Sequence, residues 1–205
     1  MALDAVRARG ELEVTALLTT VNACANRVAM HAVRRSLLEA QADRLELPLV
    51  VVEIPSPCPN DVYESRMREA MNHALGEGVE HVVFGDLFLA DVRAYRETQL
   101  AGSGLSPVFP LWGRPTDLLA REMLDAGLRA VLTCVDPAQL CGDFVGRRFD
   151  AELLSELPGG VDPCGERGEF HTFVLDAPGF RSPLAVEVGE IIEREGFVFC
   201  DLSPS

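Results

Sequence analysis

Three short, nearly uninterrupted apolar runs, two of them leading into segments with helical spacing, constrain this chain more than any other feature. Leu12 to Thr20 (L-E-V-T-A-L-L-T-T), Leu49 to Ile54 (L-V-V-V-E-I) and Glu80 to Phe84 (E-H-V-V-F) read as strands. Between the first two, Met30, Val33, Leu37 and Leu38 recur at helical steps and predict a helix from Arg27 to Leu45. After the rigid turn P-S-P-C-P-N, Tyr63, Met67, Ala70, Met71 and Ala74 share one helical face. A further helix is expected over Leu89–Ala101. Leu49–Ile54 is too continuously apolar for a half-exposed edge, and strands alternating with such helices predict a doubly wound parallel sheet covered on both faces.

Pro and Gly cluster around Trp112 and set a boundary there. The expected organisation is an α/β domain over residues 1–112 and a smaller α+β domain over 113–205. In the second part a helix from Thr116 to Ala126 precedes a strand from Leu128 to Val135, and a short helix is expected at Ala151–Leu157. Leu184–Ile192 and Phe197–Leu202 read as paired strands around Glu195-Gly196. At the front, a helix over residues 2–9, stopped by Gly10, feeds straight into the first strand. In a doubly wound sheet such a helix crosses over from an earlier strand, and phosphates bind at the turn between them. The expectation is a sheet that starts one strand and one turn late.

Composition excludes several functions. The 18 basic residues are all arginine, against 32 Asp and Glu, for a net charge of −14. General binding to a nucleic-acid backbone is therefore not expected. Without a lysine, neither Schiff-base chemistry nor a phosphate-gripping lysine is available in these residues. No run of about twenty apolar residues exists, so no membrane span is expected, and the N-terminus lacks the apolar segment of a signal peptide. Six cysteines without a C-x-x-C pair point to reduced thiols in a cytoplasmic protein, for which a homo-oligomer is an allowed state.

The densest chemistry lies in Asp162–Phe180, D-P-C-G-E-R-G-E-F-H-T-F-V-L-D-A-P-G-F. Gly165, Glu166, Gly168, Glu169, His171 and Thr172 make a flexible acidic loop that runs into a buried strand. Strict alternation from Phe170 would send His171 and Thr172 to opposite faces. Asp86, after Gly85 at the end of a strand, suits either Mg²⁺ or a helix N-cap. Trp112 suits a cleft wall or a packed hinge. Cys134 or Cys164, with His171 as base and Glu169 as its orienter, would make a cysteine hydrolase.

Several segments, in order along the chain, resemble the diphthine–ammonia ligases, ATP-binding proteins of the adenine-nucleotide alpha-hydrolase, or PP-loop, type. They are L-L-T-T-V-N (17–22), V-A-M-H (28–31), V-V-F-G-D-L (82–87), F-P-L-W-G (109–113), V-L-T-C-V-D (131–136) and G-E-R-G-E-F-H-T (165–172). The last is the most specific; Arg167 stands where the family usually has Asn. The family's phosphate loop, Ser-Gly-Gly-Lys-Asp-Ser, is not in this sequence and would fall just upstream of Met1. The expectation is an N-terminally shortened HUP-like nucleotide domain, through a misplaced start or a deletion.

The resemblance implies an AMP-forming carboxylate–ammonia ligase that uses ATP and Mg²⁺, with a carboxylate on a small molecule or modified residue as acceptor. It assigns nucleotide contacts to Leu18, Thr19, Thr20, Met30, His31, Gly85 and Asp86, with Asp86 also the Mg²⁺ ligand. The catalytic set is Glu166, Glu169, His171 and Thr172. The substrate contacts are Trp112, Cys134, Gly165, Glu166, Gly168 and Glu169, the carboxylates suiting a cationic acceptor. A nucleotide- or metabolite-binding protein without turnover is the alternative.

Overall fold

The computed structural model describes residues 1–28 and 33–205. Met30 and His31 lie outside the described residues. The first helix, α1 (Ala2–Arg9), stops at Gly10 in the left-handed conformation, as its sequence predicts. The first strand, β1 (Leu17–Asn22), starts five residues later than the apolar run suggested. Asn22 reverses the chain at the end of this strand. Its Oδ1 accepts hydrogen bonds from the Cys24 and Ala25 N–H groups, at 2.9 and 3.1 Å, and closes a turn. A two-residue strand, β2 (Arg27–Val28), then pairs antiparallel with β1. The expected helix therefore begins only at Arg35, as α2 (Arg35–Leu45).

Strand β3 (Leu49–Ile54) runs parallel to β1 over its whole length, Leu17 opposite Leu49 through to Asn22 opposite Ile54. Helix α3 (Asn60–Gly76) leads to β4 (His81–Val83), and α4 (Ala90–Leu100) leads to β5 (Ser106–Val108), parallel to β4. The units from β1 through β4 are the expected ones and β5 falls where no strand was expected, but the strands do not form one sheet. β2-β1-β3 and β4-β5 are separate hydrogen-bonded sheets among the described residues. β3 is an edge strand, and Val50 and Leu18 are 37% and 41% exposed, so continuous apolarity here did not mean cover on both faces.

The remainder is a mixed α/β unit around an antiparallel sheet. It comprises α5 (Thr116–Asp125), β6 (Arg129–Val135), β7 (Arg148–Phe149), α6 (Ala151–Glu156), β8 (Phe170–Asp176), β9 (Val186–Arg194) and β10 (Phe197–Pro204). Strand order is β7-β6-β10-β9, with β8 also paired to β6. β6 is the spine: Ala130 to Val135 are all buried. Leu132, Val135, Phe149, Leu153, Phe170, Phe173 and Leu202 share one core, which Val33 and Leu37 of the first part also enter. Each such side chain, fully buried, contributes about 1.5–3 kcal/mol. No helix among the described residues is long and apolar enough to cross a membrane.

Candidate functional site

The acidic loop is closed by its own carboxylates. Asp162 is 6% exposed; its Oδ1 accepts from the Cys164 N–H at 2.8 Å and its Oδ2 from the Thr116 hydroxyl at 2.7 Å. Glu169 is 1% exposed; Oε1 accepts from the Asp162 N–H at 2.8 Å and Oε2 from the Arg167 N–H at 2.9 Å. Both Glu169 oxygens therefore serve backbone donors of the loop that this residue ends. A buried carboxylate is tolerable only when so satisfied. Gly165 has φ +69°, and a Cβ built there would lie 2.7 Å from the Phe170 carbonyl oxygen.

Glu166 reaches out of the loop. Its Oε1 accepts from the Leu87 N–H at 2.6 Å, across 79 residues of sequence, and the Phe88 N–H also bonds it. Arg167 adds a second grip, its guanidinium 5.4 Å from the Phe88 ring centre. The loop is thereby pinned to the turn after β4. Burial raises the Glu166 pKa above the ordinary carboxylate value; the two backbone N–H groups oppose this, and the nearby Asp86 and Asp162 add to it.

That turn carries Gly85 and Asp86. Asp86 is ion-paired rather than open: Arg96 Nε lies 2.7 Å from Oδ2, and Nη2 donates to Oδ1 at 3.2 Å. The closer contact is off the line a hydrogen bond needs, so charge holds it. Around the pair, Phe84 stacks on Phe109 with centroids 5.4 Å apart, and Phe109 meets Trp112 edge-on at 6.1 Å. Trp112 thus packs on Phe109, and the Arg93 guanidinium sits over its face at 4.7 Å.

His171 and Thr172 lie in β8, both half-buried. The predicted alternation is broken there. The β6–β8 register shifts between Leu132 and Cys134, and Phe170 and Phe173 both reach the core. Burial lowers the His171 pKa and keeps the imidazole neutral. Cys134 is fully buried in β6, and burial pushes its thiol up to about 11. Cys164 is pushed up to about 12, again by burial first and then by Asp162 and Glu166. A nucleophilic cysteine needs a lowered pKa, so the geometry disfavours the hydrolase reading.

The structure brings together Gly85, Asp86, Glu166 and the loop glycines, with Trp112 on the far side of Phe109. Leu18, Thr19 and Thr20 belong to β1, in a different sheet from β4. Sequence reasoning gave no role to Asp162, although D-x-C is the spacing of an Asx turn, nor to Arg93 and Arg96. Only the fold puts those arginines against aromatic rings.

Residues 115–203, which include the whole of this loop, match the diphthamide synthase C-terminal domain. Among curated proteins the chain is similar to the diphthine–ammonia ligases. It is 33% identical to that of Danio rerio over 67% of this chain and 56% of the relative. Against the Homo sapiens and Rattus norvegicus proteins it is 32% and 29% identical, over 62% of this chain and 49% of each relative. The chain thus spans about half the length of the curated relatives it matches.

Proposed function

We propose that this chain supplies the acceptor side of an ATP-dependent carboxylate–ammonia ligase, acting on diphthine or a similar cationic carboxylate. The observation that carries the reading is the docking of the diphthamide synthase loop, through Glu166, onto the turn at the carboxyl end of β4. Ligands of open α/β sheets bind at carboxyl ends of strands, so the loop faces the nucleotide side of a HUP-like, PP-loop-type fold. In the reaction, a carboxylate oxygen attacks the α-phosphorus of ATP and pyrophosphate leaves. Ammonia then attacks the acyl carbon, the C–O bond to AMP breaks, and the nitrogen loses a proton.

Asp162, Glu166 and Glu169 act by holding the loop, while His171, kept neutral by burial, takes that proton and Thr172 contacts the acceptor. Asp86 as arranged does not fit Mg²⁺, because Arg96 lies against both its oxygens. Cytoplasmic localisation and a homo-oligomeric state belong to the same proposal.

The second reading, nucleotide binding without turnover, draws support from the separation of β2-β1-β3 from β4-β5. One experiment divides the two. The chain is incubated with ATP, an ammonium salt and a diphthine-bearing protein, and AMP and pyrophosphate are counted. Stoichiometric AMP that needs both co-substrates supports the ligase; ATP binding without AMP sinks it.

A further inference from the structure

Arg93 lies in the first turn of α4, and its guanidinium stands 4.7 Å from the ring centres of both Phe109 and Trp112. Those rings, with Phe84, come just after the last residues of β5 and β4, the carboxyl ends of two neighbouring parallel strands. Contact with the two rings holds the guanidinium in place and leaves its N–H groups for recognition. Nε donates to Glu97 Oε1 at 2.8 Å. Nη1 and Nη2 have no protein acceptor among the described residues, and 35% of the side chain is exposed. Arg96, one turn further along α4, is already paired with Asp86. The N-terminal end of α4 adds its own partial positive charge.

We infer that Arg93 is an oxyanion anchor at the carboxyl ends of β4 and β5, a two-pronged fork for a phosphate or carboxylate group. A stacked guanidinium matches such groups with two parallel N–H···O bonds, which a mobile ammonium does not. The chain has no lysine, so a permanently charged side chain that grips an anion here must be an arginine. The anchor deepens the ligase reading and rests on it for the identity of the anion, either the phosphates of the nucleotide or the carboxylate of the acceptor.

Trp112 is the only tryptophan and lies against Arg93, so its emission reports occupancy directly. The full chain is titrated separately with sodium pyrophosphate and sodium succinate, against sodium chloride at equal ionic strength. A saturable emission change with pyrophosphate assigns the nucleotide side, and one with succinate the acceptor side. Arg93→Gln is expected to weaken that binding at least about tenfold, the worth of one charge-assisted hydrogen bond. Arg93→Lys is expected to recover only part of it. Melting curves of both variants confirm that they fold.

No saturable change with either anion, or equal affinity in Arg93→Gln, overturns the assignment. The ligase reading fails separately. Anion binding without AMP formation leaves the anchor standing, whereas AMP formation undiminished in Arg93→Gln removes the anchor and leaves the ligase.

Discussion

The loop makes its sharpest prediction at two glycines three residues apart. Gly165 and Gly168 both have positive φ, +69° and +81°, so an alanine at either costs roughly 1–2 kcal/mol from backbone conformation alone. Their surroundings differ. A Cβ at Gly168 meets nothing within 4 Å, while one at Gly165 lies 2.7 Å from the Phe170 carbonyl oxygen and 3.1 Å from its ring. That carbonyl cannot easily retreat, because Phe170 is buried and paired with Val135. Overpacking of this kind adds about 1–3 kcal/mol.

Gly168→Ala should therefore cost about 1–2 kcal/mol and Gly165→Ala about 2–5 kcal/mol. The unfolded-state gain from replacing glycine is common to both and cancels in the difference. At roughly 2–4 °C per kcal/mol for a chain of this size, the two variants should melt about 2–12 °C apart. Thermal unfolding monitored by circular dichroism measures it. Equal melting temperatures, or a less stable Gly168→Ala, would refute the account of a loop packed hard against the start of β8.

Three further outcomes are expected at the site. Glu166 has a raised pKa, so its contribution to stability is present below the ordinary carboxylate range and lost as pH rises through the raised value. Glu166→Gln keeps an acceptor for the Leu87 N–H without a charge and should flatten that part of the pH–stability curve, whereas Glu166→Ala orphans the donor at about 1–3 kcal/mol; melts across acid to neutral pH give the answer, and parallel curves for wild type and Gln count against it. His171 has a lowered pKa, so its contribution is present above its ordinary 6.5 and lost as pH falls through the lowered value; His171→Gln should be less acid-sensitive in the same melts. With iodoacetamide under mildly alkaline native conditions, the exposed Cys24 and Cys141 should be alkylated well before Cys134 and Cys164. Peptide mass spectrometry measures the order, and Cys164 reacting as fast as Cys24 would return the cysteine hydrolase to consideration.

The strands that could be read from sequence are those whose apolar runs are bounded by turn residues. Leu49–Ile54, after Pro48, matches β3, and the turn at Glu195-Gly196 marks the β9–β10 hairpin. The miss at Arg27–Val28 has a local cause: the Asn22 turn sends these two residues into β2, and the described helix is α2, from Arg35. The loop was visible as a concentration of carboxylates, but its chemistry was not. A carboxylate that binds substrate and one that caps its own backbone have the same sequence, and only the burial of Glu169 and Asp162 separates them.

Sequence alone determined the pattern of strand–helix units, the arginine-only positive charge and the likeness of residues 115–203 to the diphthamide synthase C-terminal domain, because periodicity, composition and ordered motifs are properties of the chain itself. Tertiary structure decided which charges are available. It paired Asp86 with Arg96, pinned Glu166 to Leu87 from 79 residues away, and set Arg93 against two rings. It also left β1 and β4 in separate sheets. Ion pairing, desolvation and strand partnership depend on distances between residues far apart in the chain, and those distances exist only once it is folded.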